Sequence, residues 1–147
     1  MARDKKKTRD LNATLGLEDE AGFTLVSPVQ RTGSRRGQTP VFRTSIDHHD
    51  RLTILGILLV APKGKKIRLR IKSDWDAITG EEMIAFLKQI LRLVRGQIVL
   101  VWHRHPIHRR ALVKEFIQSQ KQLHVFEFPV AAPEFNPTEY VWTQTKQ

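Results

Sequence analysis

The chain has 147 residues, with 25 Lys and Arg against 15 Asp and Glu, a net charge of +10 and 40% hydrophobic residues. That length suits one domain with a substantial core. The absence of cysteine excludes a disulfide-stapled scaffold and a thiolate zinc site. No apolar run follows the basic start "MARDKKKTRD" and none approaches 18 residues, so neither a signal peptide nor a membrane span is expected and a cytoplasmic setting is the simplest reading. The excess of cations points first to a nucleic acid partner. It gathers at Lys5 to Arg9, at Arg31, Arg35 and Arg36, at Lys63 to Arg70 (with Lys65 and Lys66), and at Arg104, Arg109 and Arg110.

Residues 1–12 read as a basic arm. Leu15, Leu17 and Asp19 then alternate with Gly16 and Glu18, the pattern of a strand whose apolar face runs into a carboxylate. An ionised carboxylate beside leucines costs several kcal/mol unless compensated, so Asp19 is expected at an exposed strand end or beside a metal. Glu20 points to the opposite strand face. "RTGSRRGQTP", residues 31–40, is rich in turn formers and reads as a hairpin or loop. "RLTILGILLVAP" is a long apolar strand, and "KKIRLRIKSD" alternates Ile67, Leu69 and Ile71 with cations, as in a strand with one wet face. The "PKGK" turn between them implies an antiparallel pair.

The period changes at "TGEEMIAFLKQILRLVRG". Thr79 and Glu82 form a capping box, and Met83, Leu87, Ile90, Leu91 and Val94 share one helical face before Gly96. "VLVW", residues 99–102, reads as a strand buried on both faces. A helix is expected to open near Pro106 with Leu112, Val113, Phe116 and Ile117 inward, followed by the strand "LHVFEF". "NPTEYVWTQTK" starts a last helix with Asn136 as N-cap and Pro137 at its first position. Three strands followed by alternating helices and strands imply a meander joined to parallel neighbours through right-handed crossovers.

That order is the layout of a ribonuclease H-like α/β domain, a mixed five-stranded sheet with flanking helices over residues 13–147. The segments "DEAGF", "RRGQTP", "RLTILGILLVAP", "VLVWHRHPIHRR" and "APEFNPTEYVW" resemble, in order, the catalytic domain of mariner-like bacterial insertion-sequence transposases with a DDE active site. The resemblance implies Mg²⁺- or Mn²⁺-dependent cleavage and strand transfer of DNA, acting in the bacterial cytoplasm at the nucleoid. Its three acids fall on Asp19, on His103 at the place of the second acid, and on Glu139, with Asp19 and Glu139 as metal ligands. Glu139 follows His103 by 36 positions, close to the family's usual gap between its second and third acids. His103 is therefore a substitution at the expected place.

Imidazole supplies neither the charge nor the second oxygen that a hard cation such as Mg²⁺ favours, so an impaired copy is expected. Asp74 and Asp76 have no evident place in the site. Glu139 also stands three residues after Asn136 and can complete a capping box. A zinc site of His103, His105 and His108 is disfavoured, because their spacing suits no shared strand or helix face. His108 matches a position commonly His in the family and is expected to orient its loop, whereas His105 looks incidental. Arg31, Arg35, Arg36, Lys65, Lys66, Arg104 and Arg109 are the expected DNA-binding residues.

Relatives carry an N-terminal helix-turn-helix region. Only about a dozen residues precede the first strand here, so a fragment without that region is expected, with DNA and a second copy or an intact transposase as partners. The alternative is a catalytically inactive DNA-binding or dimerisation module.

Overall fold

Five strands, β1 (Thr14–Thr24), β2 (Arg51–Val60), β3 (Ile67–Asp74), β4 (Ile98–Trp102) and β5 (Leu123–Glu127), form one sheet in the order β3-β2-β1-β4-β5. This is seen in a computed structural model that describes residues 2–24, 35–38, 51–64, 66–129, 137, 138 and 142. The meander β1-β2-β3 is antiparallel, and β4 and β5 join it parallel to β1. The turn between β2 and β3 places Lys63 and Gly64 at φ of 65° and 68°. Glycine takes that left-handed region freely, and lysine does so at a cost.

Helices α2 (Gly80–Leu93) and α3 (Ala111–Ser119) make the crossovers and cover one face. Their apolar stripes bury Met83, Phe86, Leu87, Ile90 and Val113 against Leu55, Ile57, Leu59, Ile98 and Leu100. All five residues of β4 are buried, as its unbroken bulky run predicts for a central parallel strand. A smaller cluster of Leu17, Val101 and Phe128 lies on the opposite face, extended by Leu15, Leu58 and Phe126.

The structure refines three sequence expectations. Residues 2–10, read as a basic arm, form a helix, α1 (Ala2–Asp10), whose Lys7 ammonium sits 5.4 Å from the centre of the Phe126 ring. The segment after Pro106 does not enter a helix directly. It makes a 3₁₀ turn, Pro106–Arg109, and Arg110 is extended before α3 begins. Finally, β3 is an edge strand, so its apolar face lacks a neighbour on one side, and Ile67 and Ile71 are 64% and 51% exposed. Pro137, Thr138 and Trp142 are helical, as expected for the last segment, and most of the 31–40 hairpin lies outside the described residues. No helix among the described residues is long and apolar enough to cross a membrane.

The capping box of α2 forms as expected. The Thr79 hydroxyl accepts the Glu82 N–H at 3.2 Å and the Glu82 carboxylate accepts the Thr79 N–H at 2.8 Å. That backbone bond, above all, holds the Glu82 carboxyl down to about 2 from 4.5, and the Lys72 ammonium 3.1 Å away adds to it. Because the folded value is the lower one, this stabilisation is complete above about pH 4.5 and is lost as the pH falls toward 2. Thr79→Ala should cost about 1 kcal/mol in urea unfolding. Glu82→Gln should flatten the loss of stability over that acid range, and an unchanged acid limb would exclude the box as its source.

Candidate active site

The register of β1 against β4 builds the site. Leu17 pairs with Val101, and two residues further along each parallel strand bring Asp19 and His103 side by side. His103 Nδ1 lies 3.4 Å from Asp19 Oδ1. On the other side, Asp19 faces Gly56 of β2. A Cβ at Gly56 would fall 2.5 Å from the Trp142 ring, so the missing side chain is what lets the indole cross β2 and donate from Nε1 to Asp19 Oδ2 at 3.0 Å. Asp19 is only 8% exposed in the middle of β1, not at an exposed strand end. Burial pushes its carboxyl above the usual 3.8, opposed by nearby His103 and by the Trp142 hydrogen bond, while Glu18 adds to the rise.

The pleat sends Glu18 and Glu20 to the helix-covered face, where each meets a histidine. Glu18 Oε2 lies 3.4 Å from His108 Nε2, and Glu20 Oε2 lies 3.4 Å from His105 Nδ1. Glu18 is 0% exposed, and neither of its oxygens has a hydrogen bond among the described residues. The His108 contact has ion-pair distance without hydrogen-bond geometry. The His108 ring stacks on Trp102 with centroids 3.9 Å apart and planes within 2°, and its Nδ1 lies 2.8 Å from the His103 carbonyl. A carbonyl only accepts, so Nδ1 carries the proton and donates it. His108 thus ties down the backbone of the residue that faces Asp19. Burial pushes the His105 imidazole below its usual value, with Glu20 opposing.

Sequence reasoning missed Glu18, Trp142 and the pairing of His105. Glu18 was visible as a charge at even register with Gly16, but nothing in the chain said that this face would be the more deeply buried one. The 3₁₀ turn also brings the His103, His105 and His108 rings within 5.4 to 6.0 Å of one another, which their spacing had not suggested. Even so, no three His, Asp or Glu side chains among the described residues are placed to hold one metal ion.

Among the described residues, the site offers a cation one carboxylate and one imidazole. Among the described residues His103 Nδ1 is buried without a hydrogen-bond partner and aimed at Asp19, and two ligands of one tetrahedral cation stand about 3.3 Å apart. This N,O pair fits a borderline cation such as Zn²⁺, Cu²⁺ or Ni²⁺ better than Mg²⁺, which favours oxygen. Glu139, Arg31 and Lys65 lie outside the described residues. Arg35 and Arg36 are exposed in a short turn. Arg104 is bound to Glu127 at 2.7 Å, and Arg109 borders a depression with Lys114. Lys66 lies at the opposite end of the sheet, its carbonyl accepting from Ala61 N–H. Asp74 and Asp76 remain outside the site, Asp74 accepting from the Asp76 N–H.

The family model for DDE superfamily endonucleases matches residues 15–147. The chain belongs to that family. Its fold is that of the ribonuclease H-like catalytic domain in the Mos1 transposase paired-end complex with left transposon end, at a TM-score of 0.63 and 12% identity. The match covers 99% of this chain and 44% of that one, so the chain spans less than half the length of the transposase in that complex. The catalytic domain of Mos1 mariner transposase alone gives a TM-score of 0.56 at 11% identity, covering 98% of this chain and 62% of the other. A simian T-cell lymphotropic virus intasome in complex with PP2A regulatory subunit B56 gamma gives 0.59 at 10%, covering 91% and 38%. A comparison with curated protein sequences yields no match.

Gly56→Ala should destabilise the domain by about 1–3 kcal/mol in urea unfolding, because the indole has no flexible end to yield. An unchanged midpoint would mean that Trp142 does not pack there. Asp19→Asn should act the other way. A carboxyl raised by burial favours the fold while protonated and disfavours it once ionised, so removing the charge should raise the melting temperature at pH 7. The gain should shrink as the pH falls toward 3.8; a gain independent of pH would place its cause elsewhere.

Proposed function

We propose that this chain is the catalytic domain of a DNA transposase, built for metal-dependent cleavage and strand transfer of phosphodiesters, in a copy impaired at its second acid position. The observation that carries the reading is the approach of His103 Nδ1 to Asp19 Oδ1 at 3.4 Å across adjacent parallel strands, where the family's first two acids meet. Asp19 and Glu139 are the anionic ligands in this reading, and position 103 supplies an imidazole nitrogen in place of an acid. Two divalent cations, when bound, would neutralise charge developing on the phosphorus oxygens and activate the attacking hydroxyl. The part of this chain is to hold Asp19 in place through Trp142 and position 103 through His108. Solved structures of Mos1 with Mn and with Mg support use of a divalent cation by this fold.

Duplex DNA is the partner. The net charge of +10 and the neighbouring transposase structures with transposon DNA support it. Arg31, Arg35, Arg36, Lys65, Lys66, Arg104 and Arg109 are the proposed phosphate contacts, and a second copy or an intact transposase is the proposed protein partner. The substitution at 103 favours one second reading, a catalytically silent DNA-binding or dimerisation module.

The test compares wild type with His103→Asp, each with and without Asp19→Asn, for Mn²⁺-dependent nicking of supercoiled plasmid. His103→Asp should nick at least about tenfold faster than wild type, and Asp19→Asn should abolish the gain. Equal rates for the His and Asp forms would refute the impairment. No nicking by a folded, metal-binding His103→Asp variant would favour the silent module.

A further inference from the structure

Cations occupy every second position along the edge strand β3 and the residue before it: Lys66, Arg68, Arg70 and Lys72. The pleat places them on one face. Arg70 pairs with Ile57 and Arg68 with Leu59, both in the core beneath α2, so that face is the helix-covered one. Lys72 is taken by Glu82 at 3.1 Å. Lys66, Arg68 and Arg70 are exposed, and among the described residues no carboxylate pairs with them. Arg95, just past the end of α2, joins them around a cavity of about 170 Å³ floored by Leu59 and Leu93. No acid lines it.

We propose that this cavity is a second DNA-contact surface, which takes backbone phosphates of a duplex other than the one engaged at Asp19. The proposal rests on the reading that the chain handles DNA. Position separates the two surfaces. The cavity reaches Thr14, at the start of β1, five residues and therefore about 17 Å from Asp19. It also lies on the opposite face of the sheet, so a duplex held at Asp19 has the sheet between itself and these cations.

Spacing and charge identify the occupant. Alternate residues of a strand stand about 6.7 Å apart, comparable to successive phosphates along one nucleic acid strand. Guanidinium groups grip phosphate oxygens two at a time. The carbonyl end of α2 opposes this, but its partial charge of about half a unit is outweighed by four cations. One of those carbonyls, that of Val94, is already taken by Gln122 Nε2 at 2.8 Å. The apolar floor lets the Arg stems lie flat with their heads outward.

The test uses Arg68→Gln/Arg70→Gln/Arg95→Gln beside a control of equal net charge, Lys88→Gln/Lys114→Gln/Lys121→Gln, with thermal unfolding to show that both are folded. Protein is added to a bead-bound duplex, and capture of a second, labelled duplex is counted. Wild type and control should bridge; the arginine variant should bind the first duplex within about twofold of wild type and lose bridging at least about fivefold. Equal loss in the control, bridging retained by the arginine variant, or loss of all DNA binding by that variant would each overturn the proposal. If titration with inorganic phosphate alone loses its heat in the arginine variant while bridging persists, the cavity takes a free anion and the DNA assignment is wrong. Failure of wild type to bind any duplex would instead sink the underlying DNA reading.

Discussion

The parallel register of β1 and β4 is the constraint on which the rest depends. It is set by apolar residues, Leu15, Gly16 and Leu17 pairing with Val99, Leu100 and Val101. A slip of β1 by one residue would turn Leu17 away from Val101 and Phe128 and drive Asp19 into the helix-covered core. Apolar packing thus chooses the register, and the register delivers Asp19 to His103. Gly16 contributes directly, since a Cβ there would stand 3.2 Å from the Leu100 side chain and crowd the two strands.

Three consecutive acids in a central strand would be hard to bury if they shared a face. The pleat divides them, Asp19 to one side and Glu18 with Glu20 to the other, and each then meets a histidine at 3.4 Å. Compensation is incomplete. Burial still wins at Asp19 over both His103 and the indole hydrogen bond, which is why its carboxyl is raised. A stability-optimised sheet would not carry this charge. Retained, poorly compensated charge inside the sheet is at odds with stability alone and in keeping with the proposed role of Asp19.

The fold was legible wherever periodicity was strong. The capping box, the stripe of α2, the all-apolar β4 and the β2–β3 hairpin follow from local pattern, and the pairing of Asp19 with residue 103 follows from strand order. Local pattern could not show which face of β1 would be deeper, because Leu17 and Asp19 advertise one face while the helices cover the other. It misjudged residues 2–10 for a related reason: a run of cations reads as solvated, yet Lys7 has the Phe126 ring to lie on, and that ring arrives from more than a hundred residues away. Trp142 was legible only as part of a motif. Its bond to Asp19 needs Gly56, and no sequence pattern links those three positions.

Residue 103 carries two separable duties. Its carbonyl accepts from His108, whose ring is clamped on Trp102, and this anchors the end of β4 whatever side chain stands at 103. The side chain alone faces Asp19. Because the backbone carbonyl meets His108 and the side chain meets Asp19, the side chain at 103 can be exchanged without loosening the strand that presents it. On the proposed function, a change of side chain at 103 alters what the site can bind while the register, the stack and the buried Glu18–His108 contact keep the geometry of the strand end.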